Sequence, residues 1–321
     1  MPCRSLIDLD GVSHDEINMW LSFADELEKG WWDVRRSLEG KILCPIFLQE
    51  SSRTYINAVS SFLQMGGRIL PLSYAGTRFG SKWHEPVQDF TCLINACCDQ
   101  VICRSDDMQM VRDFAAHVRV PFINAGNGKG VGSEHPMQAL VDIYTLRQYF
   151  GSARLRILMM GGAHIRSTRS QIKLFLRYGH DVTVMSPPSK VDNFDIEEII
   201  ESRCQVLSSG HEGDWSGFDV IYHNGIDEDP DAVAPRAYHL NRRILHQRRF
   251  SGKVMHSLPR KGELASCVDS SNFNAYFRQM ENSKWVFQSI FWHQHHGGEE
   301  RRNPVKRRDR KDTEKWNLVI H

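Results

Sequence analysis

Short apolar runs alternate with helix-like stretches along most of this chain, and this alternation constrains its fold more than any other feature. The first four strand-like runs lie at 42–48, 68–72, 100–103 and 120–124. After a predicted helix at 136–150, four more follow at 155–160, 181–185, 219–223 and 253–256. Strands separated by helices indicate parallel sheets covered by helices. The predicted fold class is therefore α/β, with two doubly wound parallel-sheet domains joined by a helix.

The restart of this pattern near residue 152 divides the chain into two predicted domains. The first spans 1–150, the second spans 151–282, and a predicted helix at 283–296 packs back on the first. Residues 297–321 are predicted to form a charged, flexible tail, because they begin with a long stretch almost free of aliphatic side chains. Acidic residues interrupt the basic ones there, so the tail is not predicted to bind nucleic acid.

The charge balance argues against a polyanionic partner. The chain carries 40 Lys and Arg against 39 Asp and Glu, so no global field attracts nucleic acid or an anionic membrane. No apolar run approaches the roughly 18 residues of a membrane helix, and the N-terminus lacks the apolar stretch of a signal peptide. We therefore expect a cytoplasmic protein. Its eight cysteines form no Cys-x-x-Cys pair and are predicted to be buried free thiols.

The junction between the first strand-like run and the next helix carries four residues suited to binding an anion. Ser51, Ser52, Arg53 and Thr54 follow the apolar run that ends at Leu48. A helix N-terminus offers unpaired N–H groups and a partial positive charge, to which these side chains add hydroxyl and guanidinium donors. Taken alone, the segment is better explained as an ordinary serine N-cap.

Three further motifs follow this junction in a fixed order. VICRS ends a predicted strand with Arg104, HPMQ lies at 135–138, and HSLPR lies at 256–260. Together with the junction at 51–54, these motifs resemble those of the aspartate and ornithine carbamoyltransferase family, over about residues 5–295. Each motif alone is weak, but four in the family's order rarely coincide by chance.

This resemblance implies transfer of a carbamoyl group from carbamoyl phosphate to an amine, without a cofactor or a metal ion. The implied catalytic residues are Arg53, Thr54, Arg104 and His135. The implied carbamoyl-phosphate-binding residues are Ser51, Ser52, Arg53, Thr54, Lys82, Trp83, Arg104, His135 and Gln138. Donors that face the carbonyl oxygen stabilise the charge that develops there, and each is worth on the order of 3 kcal/mol. A homotrimer with shared sites, in which the 80–84 loop reaches a neighbouring subunit, is also implied.

The acceptor half of the chain departs from the family's pattern. The resemblance implies that the acceptor-binding residues are Arg166, Asn224, Asp227, Ser257 and Leu258. Gly225 and Asp227 align with the arginine and glutamine of the R-x-Q motif of aspartate enzymes, and the D-x-x-x-S-M-G loop of ornithine enzymes is absent. Trp83 aligns with a loop lysine, and Lys82 lies one residue earlier.

These departures predict a different acceptor. The two carboxylates of aspartate need about two cationic partners, and Gly225 supplies none. A short diamino acid would instead pair its carboxylate with Arg166 and its ammonium with Asp227, and the second amine would attack. The expected product is a ureido amino acid.

Several alternatives remain open. The HPMQALVDIYTL helix is closest to the aspartate branch, so the chain could be a divergent aspartate carbamoyltransferase of pyrimidine synthesis. A non-catalytic anion-binding relative would keep the fold, although it would have no chemical need for every donor residue. Asp227 with its acidic neighbours could be a solvated turn. His293, His295 and His296 could ligate a metal, but their spacing suits an exposed helix end.

Overall fold

The computed structural model describes residues 5–72, 85–129, 132–187, 204–207, 213–226 and 236–297. The strands in these ranges are β1 (Ile42–Phe47), β2 (Arg68–Ile69), β3 (Gln100–Ser105), β4 (Phe122–Asn127), β5 (Arg156–Met160), β6 (Asp181–Met185), β7 (Cys204–Leu207), β8 (Val220–His223) and β9 (Lys253–His256). The helices are α1 (His14–Glu28), α2 (Ser52–Gln64), α3 (Val87–Cys97), α4 (Met108–His117), α5 (Pro136–Phe150), α6 (Arg166–Arg177), α7 (Arg242–Gln247) and α8 (Tyr276–His296). The chain forms two compact units, Met1–Asn127 with Ser283–His321, and Gly128–Asn282.

The first unit is built on a four-stranded parallel sheet in the order β2-β1-β3-β4. β1 is largely apolar, and both β1 and β3 are mostly buried, as expected for parallel strands covered on both faces. α1 begins at a capping box, in which Ser13 and Glu16 each accept a hydrogen bond from the other's backbone N–H. The chain order reverses between β1 and β3. Open α/β sheets bind ligands beside the carboxyl ends of the strands at such a switch point.

The second unit contains a five-stranded parallel sheet in the order β7-β6-β5-β8-β9. Its core packs strand residues such as Leu158, Ile221 and Val254 with Phe250. The chain order reverses between β5 and β8, which gives this sheet a switch point of its own. Two parallel sheets with flanking helices confirm the predicted fold class.

Helix α5 lies in the second unit, whereas the sequence analysis assigned 136–150 to the first domain. Buried polar side chains explain the difference. Asp142 accepts a hydrogen bond from Gln171 of α6 (2.6 Å), and Thr145 accepts one from Asn282 (2.9 Å). The strand and helix alternation gives no sign of these contacts.

Helix α8 is longer than the helix predicted at 283–296. It begins at Tyr276, and the side chain of Asn274 accepts a hydrogen bond from the N–H of Phe277 (3.3 Å). From Ser283 onward the helix belongs to the first unit, where Ser289 Oγ donates to the Trp20 carbonyl (2.7 Å). The prediction followed an apolar run and therefore missed the more polar first turns.

The three histidines near the end of α8 have separate hydrogen-bond partners. His293 and His296 each bond a carbonyl one turn earlier in the helix, and His295 bonds the side chain of Gln100. This pattern fits a helix end better than a shared metal centre. The charged tail after Gly297 lies outside the described residues. Within the described part of the chain, no helix is long and apolar enough to cross a membrane.

Cysteine burial differs in part from the prediction. Cys44, Cys98 and Cys103 are buried free thiols. Three others are exposed: Cys92, Cys97 and Cys267. An apolar neighbourhood in the sequence did not show which cysteines on and near α3 face away from the core.

Candidate active site

The carboxyl ends of β1 and β3 carry the residues of the predicted anion site. Phe47 pairs in register with Arg104, and the N–H of Leu48 donates to the Arg104 carbonyl (2.8 Å). β1 is followed by the junction 51–54, which leads into α2. The parallel register therefore brings this junction and Arg104 to the same edge of the sheet, at its switch point.

The start of α2 has the features of an anion site. Ser51 occupies the N-cap position, but its hydroxyl makes no capping bond and instead donates to Thr54 Oγ1 (3.0 Å). The first turn of α2, which begins at the exposed Ser52, contains no acidic residue. The partial positive charge of the helix N-terminus is thus not offset within its own first turn, which favours a bound phosphate.

Two guanidinium groups belong to this edge of the first unit. Burial lowers the pKa of Arg53, although an arginine remains cationic at neutral pH. Arg104 donates from Nη1 to the Ala125 carbonyl of β4 (3.0 Å), which orients its guanidinium group. Lys82 and Trp83, the other predicted phosphate-side residues of this unit, lie outside the described residues.

His135, in the second unit, is the N-cap of α5. Its Nδ1 accepts from the backbone N–H of Gln138 (3.4 Å), and the backbone N–H of His135 donates to Ser170 Oγ (2.9 Å). A ring nitrogen that accepts a hydrogen bond carries no proton, so the neutral imidazole has its proton on Nε2. His135 can therefore donate from Nε2 to a substrate oxygen. Its structural role as a helix cap and its predicted catalytic role are compatible.

Gln138, in the first turn of α5, has a fixed amide orientation. Its Nε2 donates to Asp142 (2.9 Å), a wholly buried carboxyl group. When Asp142 is ionised it can only accept, so Gln138 then presents Nε2 to it and keeps Oε1 as its accepting end. This is the orientation required to accept hydrogens from a carbamoyl NH₂ group.

The switch point of the second sheet carries two predicted acceptor residues. Arg166 begins α6 after β5, is 3% exposed, and donates from Nη1 to the Gly128 carbonyl (3.0 Å). Asn224 follows β8, and its Nδ2 donates to Thr168 and Gln171 of α6 (2.9 and 2.7 Å). The sheet topology therefore brings Arg166 and Asn224 to one edge, as the sequence motifs require.

Gly225 has a backbone conformation that disfavours a side chain. Its φ is +76°, in the left-handed region that residues other than glycine rarely adopt. Its carbonyl accepts from the Gly162 N–H (2.8 Å), and a Cβ atom on Gly161 would lie 1.9 Å from that oxygen. The loops after β5 and β8 thus approach each other too closely for any side chain at position 161. Asp227 lies outside the described residues.

Two stacked histidines end β8 and β9 and hold the loops that follow. His223 and His256 pair in register, and their ring centroids are 5.7 Å apart. The Nδ1 atom of His223 accepts from the Gly225 N–H (3.0 Å), and that of His256 accepts from the Leu258 N–H (2.7 Å). The second tether holds the segment of Ser257 and Leu258, in which Leu258 has a φ of +51°.

The outer nitrogens of both rings are also used. His223 Nε2 donates to the Tyr238 carbonyl (2.8 Å), and His256 Nε2 donates to Glu263 (2.7 Å). Ligand atoms of His223, His256 and Glu263 lie within 4.8 Å of one another. Each ring nitrogen already has a hydrogen-bond partner, so the cluster is better suited to holding loops than a metal ion. Burial lowers the pKa of His223 to about 4, which keeps its ring neutral at neutral pH.

Models of one protein family match both halves of the chain. The aspartate/ornithine carbamoyltransferase carbamoyl-P binding domain matches residues 4–148, and the Asp/Orn binding domain of the same family matches residues 153–294. The chain belongs to the aspartate/ornithine carbamoyltransferase family. This membership confirms the resemblance and makes the chain a carbamoyltransferase. The two matches meet at the end of α5, between residues 148 and 153, whereas the contacts within the structure group α5 with the second unit.

Similar proteins cover nearly the whole carbamoyltransferase chain. The aspartate carbamoyltransferase catalytic subunit of Archaeoglobus fulgidus is 29% identical over 290 residues, covering 86% of this chain and 94% of that protein. The corresponding subunit of Thermococcus onnurineus is 29% identical over 292 residues, covering 86% and 92%. A crystal structure of aspartate transcarbamoylase from Trypanosoma cruzi, in complex with aspartate and phosphate, has a TM-score of 0.77 at 21% identity. It covers 90% of this chain and 94% of its own, and it supports the fold.

Sequence reasoning missed several residues that organise this carbamoyltransferase site. Asp142, Gln171 and His223 hydrogen-bond to predicted site residues or to the backbone of their loops, but none of the three was predicted as a site residue. The available signal was polarity within an apolar element. Asp142 interrupts the apolar face of α5, and His223 ends the buried strand β8. Buried polar residues of this kind are retained only where they have partners.

Substitution of His256 should separate its hydrogen bond with Leu258 from its hydrogen bond with Glu263. His256→Asn keeps an oxygen near the position of Nδ1, so the Leu258 N–H keeps an acceptor while the Glu263 contact is lost. His256→Gln keeps a polar atom near the position of Nε2 and removes that acceptor. We therefore expect His256→Gln to raise the KM of the acceptor by about tenfold more than His256→Asn does.

Steady-state kinetics and thermal melting of both variants check this expectation. Both substitutions disturb a buried cluster, so both should lower the melting temperature by several degrees, on the order of 1 to 2 kcal/mol of stability. If the two variants have the same acceptor KM, the hydrogen bond between His256 and Leu258 does not position the segment of Ser257 and Leu258 for acceptor binding.

Proposed function

We propose that this carbamoyltransferase moves the carbamoyl group of carbamoyl phosphate to the amine of a short diamino acid. The observation that carries the proposal is the left-handed backbone at Gly225, with φ at +76°. An arginine aligned with this position would need a conformation that side chains disfavour. The donor motifs follow the family's pattern, whereas the acceptor side lacks the second arginine of the R-x-Q motif.

On the donor side, the junction 51–54 binds the phosphate group, and Lys82 or Trp83 supplements it. Thr54, Arg104 and His135 donate to the carbonyl oxygen. The contacts of Arg104 with Ala125 and of His135 with its own helix support this role, because they orient both side chains in advance. Donors held ready in this way are worth about 3 kcal/mol each in the transition state.

The reaction then proceeds without a covalent enzyme intermediate. The free amine attacks the carbonyl carbon, a C–N bond forms, and negative charge moves onto the carbonyl oxygen. The C–O bond to phosphate breaks next, and the departing phosphate takes the proton from the attacking nitrogen. The products are a ureido amino acid and inorganic phosphate. The protein contributes orientation and stabilisation of charge.

On the acceptor side, Arg166 pairs with the single carboxylate and Asp227 pairs with the ammonium group. Asn224 adds a hydrogen bond, and the segment of Ser257 and Leu258 borders the acceptor. The burial of Arg166 supports its role, since an ion pair with a desolvated guanidinium is stronger than one in water. A dicarboxylate would leave one carboxylate unpaired and beside Asp227.

Aspartate is the second candidate acceptor. The similar proteins from Archaeoglobus fulgidus and Thermococcus onnurineus are aspartate carbamoyltransferases, and the sequence of α5 is closest to that branch. Its second carboxylate would need a cation other than an arginine at 225, and Lys82 is the candidate. The protein would then act in pyrimidine synthesis.

A screen of acceptors tests the proposal. Each reaction contains the protein, carbamoyl phosphate and one acceptor: 2,3-diaminopropionate, ornithine or aspartate. Phosphate release and ureido product are measured in each reaction. We expect turnover with 2,3-diaminopropionate and loss of turnover in Arg53→Ala, which removes a phosphate contact. Absence of a ureido product with every acceptor would contradict carbamoyl transfer and favour an anion-binding protein.

The assembly and cellular setting stay predictions. The proposed homotrimer would place Lys82 or Trp83 of one subunit in the site of its neighbour. Localisation in the cytoplasm, without a nucleic acid or membrane partner, is expected from the sequence alone.

A further inference from the structure

Asp142 is a wholly buried carboxyl group at the centre of a polar network in the second unit. Three glutamines donate to it from Nε2: Gln138 of α5 (2.9 Å), Gln171 of α6 (2.6 Å) and Gln279 of α8 (2.7 Å). Tyr222 of β8 also hydrogen-bonds to Asp142, and its hydroxyl accepts from Gln279 (2.8 Å). Three helices and a strand thus converge on one carboxyl group.

The opposite ends of these amides connect to the segments of the candidate active site. Gln171 Oε1 accepts from Asn224 Nδ2 (2.7 Å), and Gln279 Oε1 accepts from the backbone N–H of His256 (3.1 Å). Gln138 keeps Oε1 as its accepting end for the carbamoyl NH₂ group. Hydrogen bonds through these glutamines therefore connect one carboxyl group to the HPMQ segment, the loop after β8 and the loop after β9.

We propose that Asp142 is a positioning residue that sets the direction of these three amides, and through them orients the donor and acceptor groups of the site. The inference rests on the proposed roles of Gln138 and Asn224. A carboxylate has no proton to donate, so each glutamine must present Nε2 to it. A reversed Gln138 would offer N–H groups to a carbamoyl NH₂ group that can only donate.

The ionisation of Asp142 fits this role at slightly alkaline pH. Burial raises its pKa to about 7, and hydrogen bonds from the three amides and from Tyr222 oppose that rise. Burial also raises the pKa of Tyr222 well above its usual value, so this hydroxyl keeps its proton. Above about pH 7 the group at position 142 is therefore an acceptor, as the network requires.

An asparagine at position 142 would keep the shape of the side chain but would introduce one donating end. If that end faces Gln138 and Gln279, both amides must reverse. If it faces Gln171, that amide must reverse and its bond with Asn224 is lost. Either arrangement misdirects at least one group of the site.

Exchanging the carboxylate and an amide between neighbours should restore the network. In the double variant Asp142→Asn, Gln171→Glu, the new asparagine donates to the new glutamate and still accepts from Gln138 and Gln279. The second oxygen of the glutamate accepts from Asn224. The hydrogen bonds with Gln138, Gln279 and Asn224 are kept, and both substitutions preserve side-chain volume.

The experiment compares Asp142→Asn, Gln171→Glu and the double variant at pH 8, with Thr145→Val as the matched control. Thr145 is a buried residue of α5 that accepts a hydrogen bond from Asn282. It is not one of the residues through which Asp142 is connected to the site. Turnover is measured with carbamoyl phosphate and 2,3-diaminopropionate or aspartate, together with carbamoyl phosphate affinity by calorimetry and thermal melting. We expect Asp142→Asn to lower kcat/KM about tenfold to a hundredfold, and the double variant to recover at least about tenfold. Thr145→Val should lower only the melting temperature.

The outcomes are distinct. An Asp142→Asn protein with kcat/KM within about twofold of wild type would overturn the inference, as would a folded double variant no more active than Asp142→Asn. If Asp142→Asn does not fold, the double variant decides the question, because it keeps the bonds with Gln138, Gln279 and Asn224. Wild-type protein that carbamoylates no acceptor would contradict the proposed function instead. Equal carbamoyl phosphate affinity in all of the variants would then overturn the role of Asp142.

Discussion

Replacement of Arg104 by alanine is expected to lower kcat about a hundredfold to a thousandfold, with a smaller loss of carbamoyl phosphate affinity. Negative charge develops on the carbonyl oxygen only as the amine attacks, so a donor there stabilises the transition state more than the bound substrate. The bond from Arg104 Nη1 to the Ala125 carbonyl (3.0 Å) orients this donor before the reaction. Steady-state kinetics and calorimetry separate the two effects.

Two further variants control for charge and for general damage. Arg104→Lys keeps the charge but loses the planar fork of donors, so its kcat should fall between wild type and Arg104→Ala. Arg68→Ala removes an exposed arginine at the start of β2, away from the carboxyl edge of the same sheet, and should change kcat by less than about twofold. Equal kcat values for Arg104→Ala and Arg68→Ala would remove Arg104 from the catalytic residues.

Loss of the acidic partner is expected to shift acceptor preference. Asp227→Asn should lower kcat/KM for 2,3-diaminopropionate about tenfold to a hundredfold, because the ammonium group loses a charge-assisted contact. The same change removes a repulsive charge, so kcat/KM for aspartate should stay the same or rise. Kinetics with both acceptors measure the ratio, in which general damage to the protein cancels.

Arg166→Gln is the matched variant for this prediction. It removes the cation that pairs with the carboxylate common to both acceptors, so both should lose kcat/KM by about tenfold to a hundredfold without a change in their ratio. If Asp227→Asn instead lowers turnover of both acceptors equally, Asp227 is part of a solvated turn and does not select the acceptor.

The residues at the carboxyl ends of the strands could be predicted from sequence, because each strand ends where its apolar run ends. The apolar runs ending near Leu48 and at His223 fixed which residues follow β1 and β8, and parallel pairing then brought the motifs to one edge of each sheet. The motifs themselves supplied the residue types. Arg104 and Arg166 lie at the switch points that the strand orders of the two sheets create.

The network around Asp142 could not be predicted in this way. Gln171 lies 29 positions and Gln279 lies 137 positions from Asp142 along the chain, so no local periodicity relates them. Only the packing of α5, α6 and α8 around β8 brings these side chains together. Long-range polar contacts of this kind determine the direction of an amide, which a sequence pattern leaves open.

Among the described elements, β7 and α7 were missed for a more local reason. β7 has four residues, too few for a clear alternation of apolar and polar positions. α7 has six, but its start carried a usable signal, since the Asn241 side chain accepts from the Ile244 N–H (2.9 Å) as an N-cap. Short elements are held by tertiary contacts more than by their own sequence.

A competition between two acceptors in one reaction tests the proposed acceptor most directly. Equal concentrations of 2,3-diaminopropionate and aspartate would share limiting carbamoyl phosphate, and mass spectrometry of the two ureido products gives the ratio of their kcat/KM values. We predict that the product of 2,3-diaminopropionate exceeds carbamoyl aspartate by at least about a hundredfold, because one buried carboxylate of aspartate lacks a cationic partner. Carbamoyl aspartate in equal or greater amount would contradict the proposal and would identify aspartate as the preferred acceptor of the two.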